Sequence, residues 1–265
     1  MTSAIASIFW TGLLFIFYTY LGYGLVIFIL SKVKSRSKRV NHVVDKDLPG
    51  VTILIAAYNE EQCIEDKITN TLNLDYPKDK LSIFFVTDGS TDNTHDIVKK
   101  FHAVKLFHDF QRRGKIHAVN RVMKYVTTPI VVFSDANTLL NGPAIRNLVR
   151  HYQDERVGGV AGEKRIYMSS EDNASGSGEG FYWKYESFLK KKDAEVYSIV
   201  GAAGELFSIR TNLYESPAEN TIIEDFVLSM TICAKGFRFA YEPEAYALET
   251  ASASVGEEWK RKVRI

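Results

Sequence analysis

The chain has 265 residues, 46% hydrophobic and 25% charged, which is enough for one sizeable α/β core with attachments and too little for two domains of equal weight. A formal net charge of +1, with no aromatic-interleaved basic stripe and no zinc-knuckle spacing, leaves nucleic acid without an electrostatic footprint and argues against it as a partner. The two cysteines, Cys63 and Cys233, each fall inside an apolar helical pattern and read as small core residues of a chain built for a reducing compartment.

From Ile8 to Leu30 there is no charged residue. At about 1.5 Å of rise per residue this stretch is long enough to cross a hydrocarbon core of roughly 30 Å. It lacks the basic start, shorter apolar region and small-residue cleavage site of a secretory signal, and it is apolar all round, unlike a core helix. The composition therefore predicts a transmembrane helix, with Trp10, Tyr18, Tyr20 and Tyr23 at interfacial or helix-packing positions. Lys32, Lys34, Arg36, Lys38 and Arg39 come next, five cations in eight residues. By the positive-inside tendency they place this flank and the chain downstream of it in the cytoplasm, and they suit anionic lipid headgroups. The predicted organisation is a membrane helix with a basic flank over 1–40, a short polar linker over 41–50, and a soluble domain over 51–265.

The soluble part opens with a buried strand, Val51 to Ala57, then the turn Tyr58-Asn59-Glu60 and a helical pattern from Glu60 to Leu74. Leu81 to Thr87 is a second strand, closed by Asp88-Gly89-Ser90-Thr91-Asp92, turn and capping residues before a helix over 93–101. A short strand over 104–107 leads through Arg112-Arg113-Gly114-Lys115 to a helix over 116–126. Ile130 to Phe133 is the fourth strand, a β-branched run that delivers Asp135 to the carboxyl edge of the sheet, where open α/β sheets bind ligands. Asp135 and Asn137 equally suit a turn closing the strand, so the tripeptide alone leaves a metal-holding role and a turn role open. The order βαβαβαβ with short connections predicts a doubly wound, mostly parallel sheet, and the absence of G-x-G-x-x-G after the first strand argues against a dinucleotide.

A helix over 143–154 and a strand over 157–166 continue the chain. Ser169 to Gly180 is rich in small and acidic residues and predicts a mobile loop, and 181–195 predicts an amphipathic helix. Gly201-Ala-Ala-Gly204 precedes a strand over 205–209. A helix over 221–235 begins with Glu224-Asp225 and stops at Gly236, with Asp225 beside its apolar stripe. Two short strands, 237–241 and 245–249, come next. The last residues, through Arg261 and Arg264 to Ile265, have helical character and no stop signal, which predicts that the protein continues past them.

These pieces, in this order, resemble membrane-bound family-2 glycosyltransferases with the GT-A fold, the group that includes cellulose, chitin, hyaluronan and poly-N-acetylglucosamine synthases. The resemblance covers roughly 51–265. It implies a Rossmann-like sheet flanked by helices and an inverting transfer of sugar from a nucleotide diphosphate sugar, a UDP-sugar, to a hydroxyl acceptor in cell-envelope or extracellular polysaccharide or glycolipid synthesis. Family members lay the base and ribose of the donor on the stretch seen here as Ala56, Tyr58 and Glu60. Asp88 matches the position that bonds the uracil ring, with Thr87 where the family carries a first acid, and Lys115 matches a lysine near the donor. The family's D-x-D is Asp135-Ala136-Asn137, its acceptor-side glycine turn Gly201 to Gly204, and its T-E-D is Ile223-Glu224-Asp225, whose final acid is the base in relatives. Q-x-x-R-W falls on Arg261 to Ile265, where Gln is Arg and Trp is Ile, a departure that weakens the case for processive synthesis.

The chemistry implied assigns each residue a task. Departure of a nucleoside diphosphate builds negative charge, which Mg²⁺ or Mn²⁺ held by Asp135 and Asn137 would stabilise, with Lys115, Arg261 and Arg264 as auxiliary cations. The acceptor hydroxyl needs a base, assigned to Asp225. The implied partners are a nucleotide-sugar donor, a saccharide or lipid-linked acceptor, and membrane lipids, at the cell's inner or plasma membrane with the catalytic domain cytoplasmic. Asn137 and the altered terminal motif keep open a noncatalytic sugar-nucleotide-binding or assembly subunit. A nucleotidyltransferase is disfavoured by the lack of a glycine-rich, basic loop after the first strand.

Overall fold

The computed structural model of the chain describes residues 2–34, 44–167 and 176–250. Arg36, Lys38, Arg39, the expected loop residues 169–175, and the terminal Arg261 and Arg264 lie outside the described residues.

Eight strands form one sheet: β1 (Val51–Ala57), β2 (Leu81–Asp88), β3 (Lys105–Asp109), β4 (Ile130–Asp135), β5 (Thr138–Leu140), β6 (Val157–Tyr167), β7 (Leu206–Arg210) and β8 (Arg238–Thr250). Their spatial order is β3-β2-β1-β4-β7-β6-β8-β5. The first four are mutually parallel, as their short connections require, while β7 enters antiparallel to both β4 and β6. Val51, Ile53 and Ile55 are fully buried and Leu54 is 1% exposed. Such a continuous apolar run is what a strand covered on both faces needs. Alternate residues feed separate cores: Ile53, Ile55 and Val132 pack on one face with Ile64 and Ile68, and Leu54, Val86 and Val131 pack on the other with Val119 and Phe207.

The region expected as two short strands at 237–249 is one strand. Its pairing with β6 jumps between Gly162↔Glu242 and Glu163↔Tyr246, an irregularity that contains Pro243, whose missing N–H cannot join a ladder. The sequence break at the proline is thus a bulge within β8.

Helices α1 (Thr2–Phe17) and α2 (Tyr23–Lys34) are joined through a π-turn, Tyr18–Gly22, into one rod; α3 (Ile64–Leu72), α4 (Thr94–Lys99) and α5 (Lys115–Met123) link the parallel strands. α6 (Ala144–Val149), α7 (Gly176–Val196) and α8 (Glu224–Ala234) complete the set. α7 begins at Gly176, so the helix expected over 181–195 starts earlier, inside the segment whose composition predicts a loop.

The segment Ser3–Lys34 is long and apolar enough to cross a membrane. Ile8, Leu14 and Phe15 are about 70% or more exposed, whereas Gly24, Ile27 and Ser31 are buried against the domain. Here α7 grips the rod. The Tyr185 hydroxyl donates to the Tyr20 carbonyl at 2.7 Å, Tyr23 donates to Asp193 at 2.6 Å, and Phe28 stacks on Phe188. Gly24 is what admits Tyr185, because a Cβ there would lie 2.7 Å from the tyrosine oxygen.

Candidate active site

β1 has β2 on one side and β4 on the other, so the chain reverses direction of winding at its carboxyl end, the usual place for a crevice. The register sets Ala57 beside Thr87 and Ala56 beside Asp135. Ala56, Asp88 and Asp135 therefore emerge at one edge.

At the β2 end, Asp88 is 5% exposed and its Oδ2 accepts backbone N–H groups from Arg113 at 2.8 Å and Gly114 at 2.7 Å. Its Oδ1 is buried without a hydrogen-bond partner among the described residues, an acceptor suited to a ligand N–H. Gly89 has φ +65°, and a Cβ there would stand 2.5 Å from the Arg112 nitrogen. Only glycine lets the 109–114 loop cross so closely. The crossing lays the Arg112 guanidinium 3.8 Å over the Tyr58 ring. Thr87 faces inward and shares a 2.7 Å hydrogen bond with His108.

At the β4 end, Lys115 opens α5 directly after Gly114 and reaches two carboxylates, Asp135 at 2.9 Å and Glu224 at 2.7 Å. Desolvation alone would lower the Lys115 pKa, but Asp135 and Glu224 outweigh it and hold the ammonium charged. Burial pushes the Glu60 carboxyl up; the Cys63 thiol bonded to it at 3.2 Å works the other way, while Asp135 and Asp92 add to the rise. Asn137 is exposed, and its Nδ2 faces Glu249 Oε1 at 3.5 Å, leaving the amide oxygen for a ligand.

Across the crevice, Gly201 has φ +78° and lies against Phe226, and a Cβ on Gly204 would come 3.3 Å from Asp225 Oδ2. Burial raises the Asp225 pKa to about 6; the Phe226 N–H lowers it, and Glu224 adds to the rise. A cleft of about 370 Å³ is lined by Ala56, Lys115, Asp135, Gly204, Tyr214 and Glu224. Five of these six were expected from the sequence, and Asp225 adjoins the same turn.

Asp135 and the Asn137 amide are hard oxygen donors, and the carboxylate already attracts a cation, the Lys115 ammonium. Among the described residues no group of three or more His, Cys, Asp or Glu side chains is arranged to hold a metal. The donor set thus fits a Mg²⁺ or Mn²⁺ that takes its remaining ligands from phosphates and water.

Sequence reasoning did not single out Lys67 or the network in which Lys164 pairs with Glu205 at 2.7 Å and with Glu249. For Lys67 a signal exists: it falls on the apolar stripe of α3, with Ile64, Ile68 and Thr71, all buried.

A family model described as Glycosyl transferase family 2 matches residues 52–216. A poly-beta-1,6-N-acetyl-D-glucosamine synthase of Staphylococcus aureus (strain COL) is 30% identical over 244 residues, 87% of this chain and 57% of the synthase. The Staphylococcus epidermidis synthase is 27% identical over 236 residues, 83% of this chain and 54% of its own length. The chain thus spans little more than half the length of these relatives. Among solved structures, the mannosyltransferase PcManGT from Pyrobaculum calidifontis in complex with GDP-Man and Mn²⁺ superposes with a TM-score of 0.76 at 25% identity, covering 93% of this chain and 69% of that one. GalNAc-T7 with UDP, GalNAc and Mn²⁺ gives 0.60 at 15% identity over 77% of this chain and 44% of that one.

Proposed function

The chain belongs to glycosyl transferase family 2 and has a GT-A fold, and we propose that it transfers a sugar, with inversion, from a UDP-sugar to a hydroxyl acceptor in the synthesis of an extracellular polysaccharide or envelope glycolipid. The observation that carries this reading is the convergence of Asp135, Lys115 and Glu224 on one cleft, with Asp225 beside Gly204 at its rim.

In this reading Asp88 accepts from the nucleobase through Oδ1, and Tyr58 with Arg112 supplies a stacking platform. Asp135 and the Asn137 amide oxygen would hold the divalent ion that, when bound, stabilises charge on the departing diphosphate. Lys115 adds a fixed positive charge on the same side. Asp225 takes the proton of the acceptor hydroxyl as its oxygen bonds to the anomeric carbon and the bond to UDP breaks, UDP leaving with the electron pair. A carboxylate with a pKa near 6 is ionised at neutral pH yet basic enough to assist. One base and no protein nucleophile give inversion by a single displacement. Arg261 and Arg264 belong to this proposal as further cations for the diphosphate.

We place the protein at the inner or plasma membrane through Ser3–Lys34, with the catalytic domain on the cytoplasmic side, an orientation that the basic flank after the helix supports. Membrane lipids and a saccharide or lipid-linked acceptor are the proposed partners. The test is UDP release by the full protein in lipid with Mn²⁺ across a panel of UDP-sugars. Turnover lost in Asp225→Asn, with UDP binding retained, supports the reading; donor binding without turnover by the wild type across donors and acceptors would favour a noncatalytic subunit.

A further inference from the structure

Lys67 is 0% exposed, yet it ends in an ammonium group. Its Nζ donates to Ser134 Oγ at 2.7 Å, to the Thr138 carbonyl at 2.8 Å, and to Thr138 Oγ1 at 3.4 Å. All three acceptors are neutral. They stand at the two ends of the Ser134–Thr138 turn, between which lie Asp135 and Asn137. The turn is closed further by the Thr138 hydroxyl, which donates to the Asp135 carbonyl at 3.1 Å, and by the Ser134 hydroxyl, 3.2 Å from the Glu205 carbonyl. The acceptors for a β4–β5 connection thus converge on one nitrogen arriving from α3.

Among the described residues no carboxylate contacts this ammonium; burying it so is costly, and an apolar side chain of the same length would fill the space more cheaply. Burial lowers the Lys67 pKa to about 7, and the carboxylate of Asp135 opposes this most strongly. The amine therefore sits in the field of the residue whose turn it braces. Rigid outer contacts of this kind are what hold a ligand side chain in one orientation.

We propose that Lys67 is a positioning residue that fixes the Ser134–Thr138 turn, and with it Asp135 and Asn137, for the diphosphate of the donor and its divalent ion. This rests on the site assigned to Asp135 above.

The test uses the full chain with Mn²⁺ and UDP as probes, measuring Mn²⁺-dependent UDP affinity by calorimetry and bound Mn²⁺ by electron paramagnetic resonance. Lys67→Met should fold with a melting temperature close to that of the wild type and bind Mn²⁺·UDP about tenfold or more weakly, while the acceptor KM of residual turnover stays unchanged. Lys80→Met is the control. Lys80 braces the Asp45, Lys46 and Leu48 carbonyls at the opposite end of the sheet, so its loss should lower melting temperature and leave Mn²⁺·UDP affinity intact. Should Lys67→Met fail to fold, Ser134→Ala removes the 2.7 Å contact, together with that hydroxyl's own 3.2 Å contact to the Glu205 carbonyl, and should weaken Mn²⁺·UDP about threefold. Unchanged affinity in a folded Lys67→Met, or in Ser134→Ala where it stands in, overturns the inference. Asp135→Ala separates the two levels: if it leaves Mn²⁺·UDP affinity intact the site itself is misassigned, and if it weakens binding while the Lys67 and Ser134 variants do not, only the bracing role fails.

Discussion

Lys115 of α5 reaches Glu224 of α8 with Nζ 2.7 Å from Oε1, so an ion pair spans the crevice between the parallel half of the sheet and the helix that carries Asp225. The same nitrogen is 2.9 Å from Asp135, on the side proposed for the donor. One cation thereby sets the spacing of two carboxylates that would otherwise repel. Lys115→Met should lower kcat/KM for the UDP-sugar by about 10²-fold or more, the scale expected when a charge stabiliser is lost. Lys115→Arg should recover part of it, read out by initial rates at saturating Mn²⁺.

Asp225 holds its charge against burial, which has opposite consequences for rate and for stability. Its folded pKa, about 6, lies above the ordinary 3.8, so the folded state binds the extra proton. The stability cost of ionising Asp225 is absent below pH 3.8 and grows as pH rises through 6, to about 2–3 kcal/mol. Asp225→Asn should therefore melt higher than wild type at pH 7 and no higher at pH 3.5. The wild-type rate should fall as pH drops below about 6, and the variant should have no transfer to titrate.

Gly201 and Gly204 should respond differently to alanine. At Gly201, φ +78° and a Cβ 2.7 Å from the Phe226 ring predict a loss of about 1–2 kcal/mol, seen in urea unfolding. At Gly204 the new methyl would meet, among the described residues, Asp225 alone, with Oδ2 at 3.3 Å. Gly204→Ala should keep its stability and its UDP affinity while kcat falls, because the displaced atom is on the proposed base.

Glu242 is 3% exposed and is met by Arg150 at 2.6 Å and by His151 at 2.7 Å. Burial alone would raise its pKa; the His151 contact, the Glu244 N–H and Arg150 overcome that and lower it below 4.5. Its stabilising contribution is then complete above pH 4.5 and is lost as pH falls through the folded value. Glu242→Gln should cost about 1–3 kcal/mol at pH 7, because Arg150 keeps Glu244 at 3.0 Å while it and His151 lose their buried carboxylate, and the difference from wild type should shrink in acid unfolding below pH 4.

Most of what positions the crevice could be read from the chain because it depends on local pattern. Val131-Val132-Phe133 had to be a buried strand, and a strand ending in Asp135 had to put that acid at the sheet edge. On α8 the pattern misled: the stripe expected beside Asp225, through Ile222, Phe226 and Met230, stays exposed, and the buried face is Leu228, Ser229 and Ile232, which Asp225 heads by helical spacing. What escaped depends on partners distant in sequence. Lys67 stands on the apolar stripe of α3, which marks it as buried, but its acceptors Ser134 and Thr138 come from far along the chain, and the short strand Thr138–Leu140 has no signal of its own, existing only because β8 pairs with it. The bulge at Pro243 hid the continuity of β8, since a proline in a strand ordinarily marks its end. The family 2 resemblance implied a ligand role for Asp88, and gave no sign that one of its oxygens ties down the loop carrying Arg113.

The grip of α7 on the N-terminal rod bears on how an acceptor is chosen. Tyr185 and Asp193 hold the rod at Tyr20 and Tyr23, and α7 ends at Val196, shortly before Gly201. If the exposed part of the rod lies in lipid, as proposed, these contacts would tie the height of the glycine turn to the bilayer. For a lipid-linked acceptor of the proposed reaction, the hydroxyl would then meet Asp225 only if its spacer had the right reach, which would make spacer length a selective property alongside sugar identity.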